Sequence, residues 1–144
     1  MKLRTSFFAA AVLLTAAFAN AQTPVVNPTK ITFTASTDHN AVDPVTGGSV
    51  VTGYTLHVVA QSGNCGPAGC GALFFNKGLG KPTPDGTNTI GPISIPEFLT
   101  LTTGVRYTAT ASADGPGGSG VSAVSDPFGR PQSPAAPGKP LASQ

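Results

Sequence analysis

At 144 residues and a formal net charge of +2, the chain suffices for one hydrophobic core of ordinary domain size. Its basic residues, Lys30, Lys77 and Arg106 among them, are too few and too scattered to build the cationic stripe from which nucleic-acid binding draws much of its affinity. Only 10% of residues are charged, while Thr, Ser, Gly and Val abound, a composition that suits a β-protein of the cell exterior.

The N-terminus reads as an address. Lys2 and Arg4 precede an uncharged run over 7–19, and the triplet Ala19, Asn20, Ala21 closes it, the order of a bacterial secretory signal peptide. The run falls well short of the roughly 20 residues that a membrane-spanning helix needs, so cleavage is expected after Ala21. Lys2 and Arg4 leave with it, and six basic residues then face six acidic ones. Nothing beyond Phe128 is apolar enough to hold the chain in a bilayer. The expected organisation is a signal peptide over 1–21, one domain over 22–128 and a Pro-rich tail over 129–144, secreted or periplasmic.

In chain order, strand-like segments bounded by Gly, Pro, Asn or Asp fall at 24–28, 30–36, 50–60, 71–76, 89–101, 105–113 and 120–126. Three of them carry the two-residue period that sends alternate side chains into a core: Ile31, Phe33 and Ala35; Tyr54, Leu56, Val58 and Ala60; and Val105, Tyr107, Ala109, Ala111 and Ala113. Their other faces are mostly Thr, Ser, Arg and His, which points to antiparallel sheets buried on one side. Pro92 and Pro96 lack ladder donors, so that segment is expected at an edge or interrupted. Residues 38–48, 64–71, 78–86 and 114–120 carry turn chemistry. Prolines at 131, 134, 137 and 140 recur every third residue, as in a polyproline II spacer.

The stretch LTTGVRY, with Leu101, Gly104 and Tyr107, leads into the alternating Ala109, Ala111 and Ala113 and a Gly/Ser-rich turn, and GGSVVTGYTLH over 47–57 precedes it. In this order the motifs resemble a fibronectin type III domain, in the form found in bacterial modules. The resemblance implies a seven-stranded antiparallel immunoglobulin-like β-sandwich, with Phe33, Tyr54, Leu101 and Tyr107 in its core. Phe33 would stand where the family usually has a Trp. Tyr107 would make a tyrosine corner, its hydroxyl bonding backbone a few residues upstream. Family topology would also bring the loops 38–48 and 114–120 to one end, which makes Asp38, His39, Asp43, Asp114 and Ser119 candidate binding residues.

Catalytic constellations are sparse. No Gly-x-Ser-x-Gly elbow occurs, neither histidine has a partner that sequence places beside it, and the glycine run 117–120 opens no helix. Asp38, His39 and Asp43 share a loop, but their spacing matches no calcium loop and falls short of a zinc set; no cofactor or metal is assigned. His57 is expected on the outward face of its strand. Cys65 and Cys70 flank Gly66, Pro67, Ala68 and Gly69, turn formers that fold the chain back, and export delivers them to an oxidising compartment. A disulfide at a hairpin tip is expected. The leading functional reading is a non-catalytic binding or structural module with a protein or polysaccharide partner at the bacterial envelope. An accessory module of a carbohydrate-active enzyme ranks below it, and a small thiol-disulfide redox protein lower still, because the cysteines are not spaced Cys-x-x-Cys. Sequence leaves the ligand and oligomeric state open.

Overall fold

The computed structural model describes residues 24–135. The expected signal peptide and the tail beyond residue 135 lie outside them. The described chain is all β: strands β1 (Val25–Val26), β2 (Lys30–Thr34), β3 (Gly53–Ser62), β4 (Leu73–Gly80) and β5 (Thr89–Ser94) come first. A 3-10 turn at Pro96–Thr100 leads to β6 (Arg106–Gly115), β7 (Gly118–Val121) and β8 (Phe128–Gly129). No helix among the described residues is long and apolar enough to cross a membrane.

The long strands β3 and β6 form the spine of the larger sheet. They pair antiparallel from Gly53 with Asp114 to Ser62 with Arg106, and the sheet runs β1-β8-β6-β3-β4 with β7 also on β6. β2 and β5 make a separate antiparallel pair. Period-two patterning puts Tyr54, Leu56, Val58 and Ala60 of β3 beside Tyr107, Ala109 and Ala111 of β6, all buried. Ile31 and Ile93 of the smaller sheet pack against this face from the other side. Both sheets therefore share one apolar interior.

Two features depart from the expectation of seven antiparallel strands. β1 pairs parallel with β8, Val25 with Phe128 and Val26 with Gly129, which makes the larger sheet mixed. Of the expected final strand 120–126 only its start lies in a strand, at the end of β7, and a further short strand β8 follows past it, giving eight strands. In the gap, the Ser122 N–H donates to Ala111 O at 2.9 Å and the Ser125 N–H to Ala109 O at 2.8 Å. In return Ser122 Oγ accepts the Ala111 N–H and Ser125 Oγ the Ala109 N–H. Serine hydroxyls thus replace the strand carbonyls, satisfying β6's edge without a regular ladder.

Other boundaries shift for local reasons. The segment expected over 24–28 shrinks to two residues because Asn27 takes φ 51°. The segment expected over 89–101 ends at Ser94, and Pro96 starts the 3-10 turn, where its missing N–H costs nothing. The expected loop 114–120 is largely a hairpin, Asp114 pairing with Ser119 and Gly115 with Gly118. Beyond Phe128, within the stretch expected as tail, Gly129 pairs with Arg106 and Arg130 bridges Thr103.

One aromatic expected in the core lies at its margin. Phe33 is only half-buried and packs on Tyr54 at 5.3 Å between ring centroids, because β2 has no neighbouring strand on its far side among the described residues. Phe98, 2% exposed, fills the interior instead, against Phe128 at 5.3 Å and Phe75 at 6.1 Å. It belongs to the 3-10 turn, where strand periodicity gives no signal. Leu101 and Tyr107 are buried beside it, and the Tyr107 hydroxyl accepts the Thr102 N–H at 3.1 Å. The predicted disulfide is present: Cys65 and Cys70 are bonded, with Cα atoms 5.2 Å apart.

Candidate functional site

The loop after β2 is organised by Tyr54. Its ring is buried in the core, and its hydroxyl accepts the Ser36 N–H at 3.1 Å and lies 2.9 Å from His39 Nδ1. His39, expected on the loop surface, is instead 5% exposed and stacked on Tyr54 with an interplanar angle of 17°. The aromatic face and hydroxyl of Tyr54 together give the imidazole an apolar and a polar contact that the loop itself does not offer. His39 is therefore withdrawn from Asp38 and Asp43, and the three do not gather as ligands.

Asp43 shapes the outer half of the same loop. Its Oδ1 accepts the N–H groups of Val45 at 2.8 Å and Thr46 at 2.9 Å, an Asx turn, while its own N–H donates to Gly48 O at 2.8 Å. The Thr46 amide first and then the Val45 amide hold its carboxyl below the ordinary range. Val42 bridges Ser49, so the expected loop is partly a small hairpin.

The second expected loop is held by Asp114. Its carboxylate accepts Thr55 Oγ1 at 2.6 Å and Ser119 Oγ at 2.7 Å, and these two hydroxyls, Thr55 first, lower its pKa. Its carbonyl takes both Thr52 N–H and Thr52 Oγ1. Gly115 passes so close to Val50 that a Cβ there would lie 1.9 Å from Val50 O; a side chain would force the two segments apart.

These contacts bring the two loops to the same end. Asp38 and Asp43 of one, and residues 116–120 of the other, line a groove of about 300 Å³. It continues into a second groove of about 320 Å³ between β2 and β7, with Phe33, Tyr54, Ala111 and Val121 among its lining. Ser36, Ala113 and Gly120 belong to both. The second groove has no charged residue in its lining. A surface of this kind can hold a ligand by shape and apolar contact, with carboxylates at one end only.

The outward face of the large sheet holds the other histidine. His57 Nε2 lies 3.1 Å from Ser112 Oγ, a pair that sequence reasoning missed because the two are 55 residues apart. Ser112 is 3% exposed and its hydroxyl also reaches Thr55 O at 3.4 Å, while the pKa of the Asp114 carboxylate, bonded to Thr55 and Ser119, is lowered further by the Ser112 hydroxyl and the nearby His57.

At the opposite end, the disulfide closes a loop beside exposed Leu73 and Phe74 around a concavity of about 450 Å³. Gly63, with φ 102°, lets this loop pass Gly104, whose carbonyl oxygen would lie 2.4 Å from a Cβ at position 63. Among the described residues no group of three or more His, Cys, Asp and Glu is placed to hold a metal ion. No protein-family model, curated protein or solved structure matches the chain.

Proposed function

We propose that the chain is an exported, non-catalytic binding or structural module of the fibronectin type III kind, which contacts a protein or polysaccharide at the bacterial cell envelope through the end formed by residues 36–43 and 116–120. The observation that carries this reading is the shared groove between those two loops, since loops gathered at one end of a rigid β scaffold are the usual place for recognition. The carboxylates of the region support it as well. Asp43 and Asp114 are occupied in fixing backbone and hydroxyl groups, an arrangement that shapes a surface rather than moving protons.

The family reading is supported by the Tyr107 hydroxyl on the Thr102 amide, the contact of a tyrosine corner, and by two sheets that share one core. On this reading β7 and β8 are halves of one family strand, interrupted where Ser122 and Ser125 take over the pairing. The leader expected over 1–21 would supply export, and the Pro-rich tail would serve as a spacer or as an interaction segment.

The experiment is crosslinking of the purified protein to envelope proteins, run beside cosedimentation with purified cell-wall polysaccharide. Asp38→Ala with Ser119→Ala should abolish capture while leaving the melting temperature within a few degrees. Capture that survives both changes would overturn the assignment to this end.

A further inference from the structure

Among the described residues, the edge of β2 away from β5 has no paired strand and carries neither a bulge nor a proline. β4, at the far edge of the large sheet, carries the extra residue at both of its register shifts against β3, and such bulges blunt an edge. β5 carries Pro92, which has no N–H to offer. The register shift between β2 and β5 places its extra residue on β5, because Ile31 pairs with Ile93 and Phe33 with Ile90. β2 itself stays regular.

Its backbone groups can be assigned from the alternation of an antiparallel ladder. The Ile95 N–H donates to Thr29 O and the Ala35 N–H to Asn88 O, so Thr29, Ile31, Phe33 and Ala35 face β5. The N–H and C=O groups of Lys30, Thr32 and Thr34 therefore point away from it. Ile31 and Phe33, whose side chains face the interior, are both only half-buried. Beside Phe33 lies the uncharged groove toward Val121, and Val121 is 65% exposed.

We propose that this edge pairs with the β2 edge of a second copy of the chain, antiparallel about a twofold axis at Thr32, so that the two small sheets become one continuous sheet. The strand is complementary to itself in that register. Thr32 meets its own counterpart and Lys30 meets Thr34, and all of these carry edge-facing backbone groups, so each pair exchanges two hydrogen bonds. Ile31 falls opposite Phe33 of the second copy on the inner face, an aromatic and β-branched pairing, and enters the groove beside Phe33. No like charges meet. A two-stranded sheet is marginal by itself, and a twofold interface is the closed way to extend it. This inference does not rest on the binding role assigned to the loop end, although Ile31 of the second copy would occupy the groove that continues from that end; sedimentation reads the dimer without reference to envelope capture.

Sedimentation of the purified protein from about 1 μM to about 1 mM, a range that brackets weak to ordinary association, should show a reversible dimer. Thr32→Lys, at an exposed position, places two ammonium groups face to face at the axis and should weaken the dimer by about tenfold or more at low salt. Thr34→Glu sets a carboxylate opposite Lys30 and should tighten it by about three- to tenfold, a gain that salt removes. A monomer throughout the range overturns the proposal. So does a dimer whose affinity neither substitution changes.

Discussion

Tyr54 and His39 are joined twice: the rings stack at 5.8 Å between centroids, and the tyrosine hydroxyl lies 2.9 Å from Nδ1. The same hydroxyl accepts the Ser36 amide, so one core residue of β3 anchors the start of the candidate binding loop. Tyr54→Phe keeps the ring and removes both polar contacts. It should cost about 1–3 kcal/mol, because a buried imidazole nitrogen and an amide lose their partner. Thermal melting gives the total, and hydrogen exchange at the Ser36 amide should quicken well before global unfolding. Unchanged exchange there would show that the hydroxyl does not hold the loop.

The serine bridge along β6 makes a separate forecast. Ser122→Ala and Ser125→Ala each leave one backbone amide, of Ala111 or Ala109, without its acceptor. Each should destabilise by about 1 kcal/mol, and the double variant by roughly the sum. Amide exchange should rise at Ala109 and Ala111 while β3 stays protected.

Phe98 and Phe33 should separate in energy. Phe98→Ala empties the centre of the core and should cost about 3–5 kcal/mol, enough to unfold a marginal domain. Phe33→Ala, at a half-buried edge, should cost only about 1–2 kcal/mol when measured at concentrations that keep the protein monomeric. Equal costs in denaturant titrations of the two variants would return Phe33 to the core as the sequence placed it.

The disulfide closes a short ring, for which the chain-entropy model gives about 2 kcal/mol. Replacing both Cys65 and Cys70 by Ser should lower global stability by no more than that, yet speed exchange through residues 63–72. Alkylation of the denatured, unreduced protein should leave both sulfurs unmodified.

Acid should destabilise the fold through its turn-forming carboxylates. Asp43, Asp85 and Asp114 all have lowered pKa values: Asp43 through the Thr46 and Val45 amides, Asp85 through the Thr87 hydroxyl and then the Thr89 amide, Asp114 through the Thr55 and Ser119 hydroxyls. A carboxyl whose folded-state pKa lies below its unfolded value contributes stability that is present above the unfolded value and lost as pH falls through the folded one. Stability should therefore be level through the neutral range and decline once pH drops below about 4, the ordinary carboxylate value. Asn replacement of Asp114 should flatten part of that decline; an unaltered acid limb would argue against its bonds to Thr55 and Ser119.

Short-range pattern determined much of the molecule. The inward phase of β3 and β6 follows from the alternation of Tyr54, Leu56, Val58 and Ala60, and of Tyr107, Ala109 and Ala111, because a strand's side-chain period is a property of its own backbone. The Cys65 and Cys70 pairing was equally legible, since the four intervening residues, Gly66 to Gly69, are rich in turn formers and bring the sulfurs together without help from the rest of the chain. Tertiary structure alone decided which strand is an edge, and so why Phe33 stays half-exposed while Phe98 takes the centre. It also turned His39 inward onto Tyr54, set Ser112 beside His57, and let Ser122 and Ser125 stand in for a strand. Each of these depends on which distant backbone or side chain arrives as a neighbour. Such long-range pairing is paid for by the whole core, so no local window of sequence contains it.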